Sequence, residues 1–475
     1  MSSRYRRKTS GRKARETNNV AEAPAKYFAP GQQLSLLEMK PGENGNGGTA
    51  FRDTAFADNK ILPVHRWVPW IAGYSASFVD DVIFTYLNGA SKGVILDPFC
   101  GVGTTLLQAV LHGHDAIGFE INPYAALAAR AKLSAIQIDL EELDEVLAAM
   151  QHSSRRWLNG GSTPLRPPEG FKSRLPFFSP QVERQVLSAL RFMARIESKN
   201  IADLFRVAFG AVMVSFSNYT YEPSLGSRPG AGKPLITDAD VGAALLRKLR
   251  SMRADIAWIK EETRGRSLGK EQVVNADFLD DTSALLDASV DLVITSPPYM
   301  NNYHYVRNTR PQLYWLNFIA APKEQQYLEN HNFGRFWQTV RQAEPLPLAF
   351  EHRPLENMLQ ELRDTRAEKG AYGGPGWANY VTCYFNDCYR LMSILKRLLK
   401  RSGTAVIVIG NSIIQGIDFR TENFLAEIGE LQGLALDSIQ CVRDKRVGAS
   451  IVPSSVRHGS QKTGSLSEYA VALRK

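Results

Sequence analysis

Two short segments of this sequence combine residue types at spacings that can do chemistry. The first is Asp97-Pro98-Phe99-Cys100-Gly101-Val102-Gly103-Thr104-Thr105, directly after the apolar run GVIL. Glycines that follow a buried strand let the backbone turn tightly, and they let a ligand approach where a Cβ would collide. An ordinary strand-to-helix turn would use the same residues. Glu120 sharpens the reading, because it closes the next short apolar run, DAIGF, where a carboxylate can accept the hydroxyls of a ribose. The pair points to a nucleoside-containing cofactor, but a dinucleotide fingerprint would want a third glycine near Leu106 and there is none. The second segment is Thr295-Ser296-Pro297-Pro298-Tyr299, at the end of the run VDLVI. Its two prolines stiffen the loop, remove amide donors and leave carbonyls as acceptors beside the Ser296 hydroxyl, with an aromatic ring next in line. Taken alone, it reads equally well as a rigid Pro-Pro turn with a packed tyrosine.

Positioning these segments requires strands that end where the motifs begin. GVILD, the glycine loop, the helical LLQAVLHG, a second strand DAIGFE and the alanine-rich helix NPYAALAARAKL make half of a doubly wound sheet. Strand patterns return with EQVVNADF and VDLVI, then TAVIVIGNS, LDSIQCVRD and SEYAVALRK, with an amphipathic helix at 384–400. Open parallel sheets bind ligands at the carboxyl ends of their strands, where both motifs fall. The expected organisation is a leader over 1–60, rich in Gly, Asn, Ala and Pro, and then one α/β domain over 61–135 and 271–475. A mainly helical insertion interrupts it at 136–270, and a second, irregular one at about 300–380.

Composition sets bounds around this. The chain has 475 residues, 44% hydrophobic and 22% charged, which suits one large globular domain with insertions. Cys100, Cys383, Cys388 and Cys441 are too few and too scattered for a disulfide framework, and none forms a CxxC pair, so a reducing cytoplasm and no structural metal are expected. No apolar run is long enough to span a bilayer, and no apolar stretch follows the basic N-terminus as a secretion signal would require. The net charge of +9 favours a polyanionic partner. Part of that charge lies between Arg4 and Arg15, in a tail that reads either as a solvated terminus or as a non-specific DNA-contacting arm.

In combination the motifs resemble the S-adenosylmethionine-dependent amino-methyltransferases that make N4-methylcytosine or N6-methyladenine in DNA, from about Ile61 to the C-terminus apart from the insertions. The resemblance implies a mostly parallel, seven-stranded Rossmann-like sheet with helical insertions. It implies S-adenosyl-L-methionine as cofactor, bound by Asp97, Phe99, Gly101, Gly103, Thr104 and Glu120, by Asp277 and Phe278 around the adenine, and by Trp70, Tyr74 and Ser75 at the methionine end. It makes Ser296, Pro297, Pro298 and Tyr299 the catalytic loop. Double-stranded DNA is the implied substrate, and a cognate restriction endonuclease or another defence component the implied partner. Cofactor loop before catalytic loop differs from the common subgroup with the reverse order, so a DNA-reading region cannot be transferred by position. Its candidates are Arg228 and Lys233 in the first insertion, and Tyr305, Arg307, Arg310 and the HNFGRFW stretch in the second.

An exocyclic amino nitrogen is a poor nucleophile because its lone pair is delocalised into the ring. Acceptors aimed at its hydrogens, here the Ser296 hydroxyl and the Pro297 carbonyl, free that lone pair for in-line attack on the sulfonium methyl, while Tyr299 offers a stacking face to a flipped base. Methylation at cytosine C5 would need a thiolate nucleophile, usually after a proline, and none of the cysteines follows one. Serine before Pro-Pro-Tyr is associated in this family with cytosine, so cytosine N4 is expected ahead of adenine N6. An RNA guanine-N2 or adenine methyltransferase, and a DNA-binding protein that keeps the fold without catalysis, are the competing readings; the intact motifs speak against the last.

Overall fold

The computed structural model describes residues 51–55, 58–70, 73–87, 92–158, 165–221, 224–300, 305–445 and 466–475, all within one unit, Met39–Lys475. Its first half runs α1 (Ala76–Leu87), β1 (Val94–Asp97), α2 (Thr104–Leu111), β2 (Asp115–Phe119) and α3 (Pro123–Leu133). Helices α4 (Leu140–Leu158), α5 (Pro180–Met193) and α6 (Lys199–Val212), the small hairpin β3 (Tyr219–Tyr221) and β4 (Leu225–Ser227), and α7 (Val241–Glu262) follow. The sheet resumes with β5 (Glu271–Val274) and β6 (Val290–Thr295) and is left again for α8 (Tyr305–Trp315), α9 (Pro322–Asn330), α10 (Trp337–Val340), α11 (Arg353–Asp364) and α12 (Gly374–Leu398). It closes with β7 (Leu399–Gly410), the hairpin β8 (Ser412–Ile414) and β9 (Ile417–Phe419), α13 (Thr421–Leu431), β10 (Ala435–Lys445) and β11 (Leu466–Arg474).

The main sheet has seven strands in the order β10-β11-β7-β6-β1-β2-β5. Neighbours from β5 to β7 pair in parallel, and β11 is inserted antiparallel between β7 and β10. This is the doubly wound, mostly parallel Rossmann-like sheet. The order reverses around β1, which has β2 on one side and β6 on the other, so the two motif loops leave the sheet side by side at its switch point. The central strands read as continuous apolar runs because helices cover both faces: Ile95, Leu96, Leu292, Val293 and Ile294 are all fully buried.

The packed chain begins before Ile61. Phe51 is buried against Phe78, and the Arg52 guanidinium forms a bidentate pair with Asp81 of α1, Nη2 to Oδ1 at 2.7 Å and Nε to Oδ2 at 2.9 Å. A single aromatic and a single arginine in a Gly/Asn-rich context carry no periodicity, which is why the sequence boundary falls late. Residues 1–50 lie outside the described residues. The segment 300–380, which reads as irregular, is mostly helical. Proline within α8, at Pro311, disguises that element.

Candidate functional site

A cleft of about 950 Å³, its open mouth included, lies at the carboxyl ends of β1, β2 and β6. Its walls carry Trp70, Gly73, Tyr74, Phe99, Gly101, Thr104, Glu120, Asp277, Phe278, Ser296, Pro298 and Tyr305. Both motif loops therefore meet in one site.

The glycine loop is shaped by two left-handed residues, Gly101 at φ +52° and Gly103 at φ +82°. Gly101 sits under the Trp70 indole, where a Cβ would come within 3.1 Å of Nε1. Gly103 serves packing, since a Cβ there would meet that of Ala129 in α3 at 2.9 Å. The close helix approach for which a third glycine would be needed is thus supplied by Gly103 against an alanine. Glu120 ties the loop to α3: one carboxylate oxygen accepts from the Gly101 amide at 2.9 Å, the other from the Asn122 amide at 2.7 Å. Burial pushes its pKa up to about 7, against these two bonds. Each oxygen keeps a lone pair for a ligand hydroxyl. Asp277, across the cleft, is likewise raised to about 6 by burial, with the Leu279 amide bonded to it at 2.9 Å.

Three residues expected to touch the cofactor stand behind the cleft wall instead. Asp97 is 1% exposed and accepts from Thr295 Oγ1 at 2.7 Å, Tyr74 O–H at 2.8 Å and the Phe99 amide at 3.1 Å. It cross-links the two motif loops and the segment before α1, and burial raises its pKa. Tyr74, bonded also to Thr105, shows the cleft its ring while its hydroxyl points inward. Ser75 is fully buried, donating to the Asp53 carbonyl at 2.8 Å and accepting from the Phe78 amide at 3.2 Å at the start of α1. Gly103 is the third, as above. Phe278 reaches the cleft only by an edge, 1% exposed and packed on Phe119 and Phe99.

In the catalytic-loop candidate, Ser296 and Pro298 line the cleft, Pro297 is buried and Tyr299 is half-buried. The Ser296 hydroxyl donates to the Tyr299 oxygen at 3.3 Å. The Tyr299 ring lies over Gly410 at the end of β7, where a Cβ would come to 3.2 Å. Of the nucleic-acid candidates, Tyr305 stacks on Trp70 with centroids 6.3 Å apart and belongs to the cleft wall. Arg307 and Arg310 follow on α8, outside the cleft. The Arg228 guanidinium donates to the Pro234 carbonyl at 2.8 Å, and Lys233 lies in the same turn, its amide bonded to the Arg228 carbonyl. His331, Asn332 and Phe333, the start of the HNFGRFW stretch taken as a DNA contact, line the cleft. Asn122 was not anticipated: it caps α3, and its amide donates to Thr309 of α8 at 2.7 Å, joining the second insertion to the cleft floor.

Residues 76–130 match the family model N6_N4_Mtase, described as DNA methylase. The Type II methyltransferase M.BsoBI of Geobacillus stearothermophilus is 24% identical over 418 residues, covering 79% of this chain and 80% of that protein. The Type II methyltransferase M.AvaI of Nostoc sp. is 24% identical over 450 residues, 86% of this chain and 85% of its own. A solved rRNA methyltransferase, aviRa from Streptomyces viridochromogenes, aligns over 90% of this chain and 95% of its own at 11% identity, with a TM-score of 0.27, too loose an overlay to bear on substrate. With a switch-point cleft, a glycine loop and a strand-end carboxylate in place, this chain is similar to the N6_N4_Mtase family of DNA methylases over residues 76–130 and to Type II methyltransferases over most of its length.

Proposed function

We propose that the chain methylates the exocyclic N4 of cytosine at a specific site in double-stranded DNA, as the modifying activity of a restriction-modification or related defence system. The observation that carries the reading is Ser296: a neutral hydroxyl on the cleft wall at the end of β6, held by a loop that Asp97 and Thr295 brace from below. The relatives named above are Type II methyltransferases, which supports the setting.

The cleft fits the cofactor by the chemistry of its groups. Glu120 and Asp277 supply acceptors for ribose hydroxyls and the adenine amino group, and Phe99 and the edge of Phe278 bound an apolar slot between them. Trp70 and Tyr74 would cover the methionine end. When bound, S-adenosylmethionine supplies an electrophilic methyl on a sulfonium. The chain's own work is to hold the target amine, with Ser296 Oγ and the Pro297 carbonyl accepting its hydrogens so that the nitrogen lone pair turns toward the methyl. Fixing both reactants in attack geometry can contribute about 7–11 kcal/mol. The proton lost by the amine leaves through solvent at the open mouth.

Digestion of methylated duplex DNA to nucleosides followed by mass spectrometry is expected to show N4-methylcytosine. N6-methyladenine as the sole product would overturn the base assignment, and methyl transfer to RNA but not to duplex DNA would overturn the substrate.

The raised pKa of Glu120 gives a second test. Ribose O–H donors favour the ionised carboxylate, so cofactor affinity is expected to rise between about pH 6 and 8 and level off above, as Glu120 loses its proton near 7. Glu120→Gln should bind at least about tenfold more weakly at pH 8, the worth of one charge-assisted bond, and with a flatter pH profile. Calorimetry across that range decides it; a wild-type affinity independent of pH would remove Glu120 from the cofactor site.

A further inference from the structure

Beside the cleft mouth, Phe171, Lys172 and Arg174 of the first insertion face Arg307 and Arg310 of the second across an open groove, with the β3–β4 hairpin as its third side. We infer that this groove seats the sugar-phosphate backbone of the DNA duplex, an inference that rests on the DNA-methylating reading above.

Four features carry it. Among the described residues the groove gathers four cationic side chains and its lining contains no carboxylate. Among the described residues Lys172, Arg174 and Arg307 are exposed and form no ion pair, so an anion is what the site lacks. The neighbouring groove beyond Arg307 and Arg310 does hold a carboxylate, Glu329, already accepting from Gln325 at 2.8 Å.

The groove is also pre-formed. Arg310 donates to the Lys172 carbonyl at 2.7 Å and to Gln325 at 3.1 Å, with its guanidinium 5.0 Å above the Phe171 ring. It pins the two insertions together, leaving Arg174 and Arg307 to reach a ligand.

The aromatic floor excludes base stacking as the main contact. Phe171 meets Phe177 edge-on at 5.3 Å, Phe177 stacks on Tyr219 at 5.2 Å, and the Phe171 face is taken by Arg310. Exposed cations over committed rings suit phosphates, which position a duplex, rather than base edges, which specify it.

Finally, the groove connects to the cleft through one helix. Tyr305, the first residue of α8, is on the cleft wall, and Arg307 and Arg310 follow it within about 8 Å along the axis. A strand whose phosphates sit on these arginines passes the cleft mouth.

The test is the affinity of the full chain for a fluorescent duplex of arbitrary sequence, measured by anisotropy from about 0.05 to 0.2 M salt, for wild type, Arg174→Gln, Arg307→Gln and the double variant. Each substitution should lower the slope of log affinity against log salt by about 0.9, and affinity near 0.1 M salt by on the order of tenfold. Arg307→Lys should keep the slope, because a phosphate accepts a point charge. Cofactor affinity by calorimetry should not change in any variant. A wild type that binds duplex with a salt slope the variants share overturns the groove alone. Failure of Arg307→Lys to keep the slope also overturns phosphate docking. A wild type that binds no duplex at all overturns the DNA-methylating reading and the groove with it.

Discussion

Replacing Ser296 with alanine is expected to lower the single-turnover rate of methyl transfer by about 10²–10³-fold, the range seen when one positioned hydrogen-bonding group is removed from a reacting centre. The amine must be stripped of its conjugation as it attacks, and an acceptor on its hydrogens is worth more in that transition state than in the ground state. Ser296 can supply this because, among the described residues, its hydroxyl makes a single long bond, 3.3 Å, to Tyr299. The loop should not move when the hydroxyl is lost. Its position is set by the two prolines, by Thr295 Oγ1 on Asp97 and by the pairing of Thr295 with Ile407 in β7. The defect should therefore fall on the chemical step, with cofactor affinity and melting temperature close to wild type. Calorimetry and rapid-quench assays separate the two. Full activity in the alanine variant would overturn the mechanism, whichever base is modified.

What could be read from the sequence follows from where its signals are local. VILD and VDLVIT are apolar runs ended by motif residues, and β2 closes one residue before a carboxylate, so the switch-point geometry was written into a few consecutive residues. Which way a side chain faces across the sheet was not. Asp97 ends β1 as a motif acid should, but it turns into the core to bond Tyr74 and Thr295, and only the packing of α1 against the sheet decides that. The second insertion was misjudged for a similar reason. Proline, arginine and asparagine within YVRNTRPQLYW weaken a helical reading, while the helix is held from outside: Gln312 donates to the Gly210 carbonyl at 2.9 Å, and the Tyr221 hydroxyl donates to the Asn308 carbonyl at 2.9 Å. Contacts across about a hundred residues of chain leave no trace in local pattern. The two insertions were consequently treated as rivals for DNA, although α8 packs directly on the first of them.

Asp255 illustrates the same blindness and gives the larger stability effect. Nothing in WIKEE or ADIAW marks this acid, yet it is 1% exposed on α7 and accepts four bonds from the short segment that leads to Trp70. The donors are the Val64 amide at 2.9 Å, Trp67 Nε1 at 3.0 Å, and Arg66 through Nε at 3.1 Å and Nη2 at 2.5 Å; Lys248 of the same helix holds the Arg66 carbonyl at 3.2 Å. Val64 needs this support, because a β-branched residue at φ 63° is strained. Asp255→Ala leaves two buried donors and a partly buried guanidinium without their acceptor, so a loss of about 3–5 kcal/mol is expected, the cost of breaking a buried ion pair from one side. Thermal and denaturant unfolding measure it. The clamp also fixes the approach of Trp70 to Gly101 at the cleft, so below the melting temperature the variant should bind cofactor more weakly while the rate at saturation falls less. Asp255→Asn, which keeps the shape and one acceptor, should recover part of both losses. If stability fell but cofactor affinity did not, α7 would be a strut for the core and nothing more; if neither changed, the hydrogen bonds drawn to Asp255 would not be those that hold the segment.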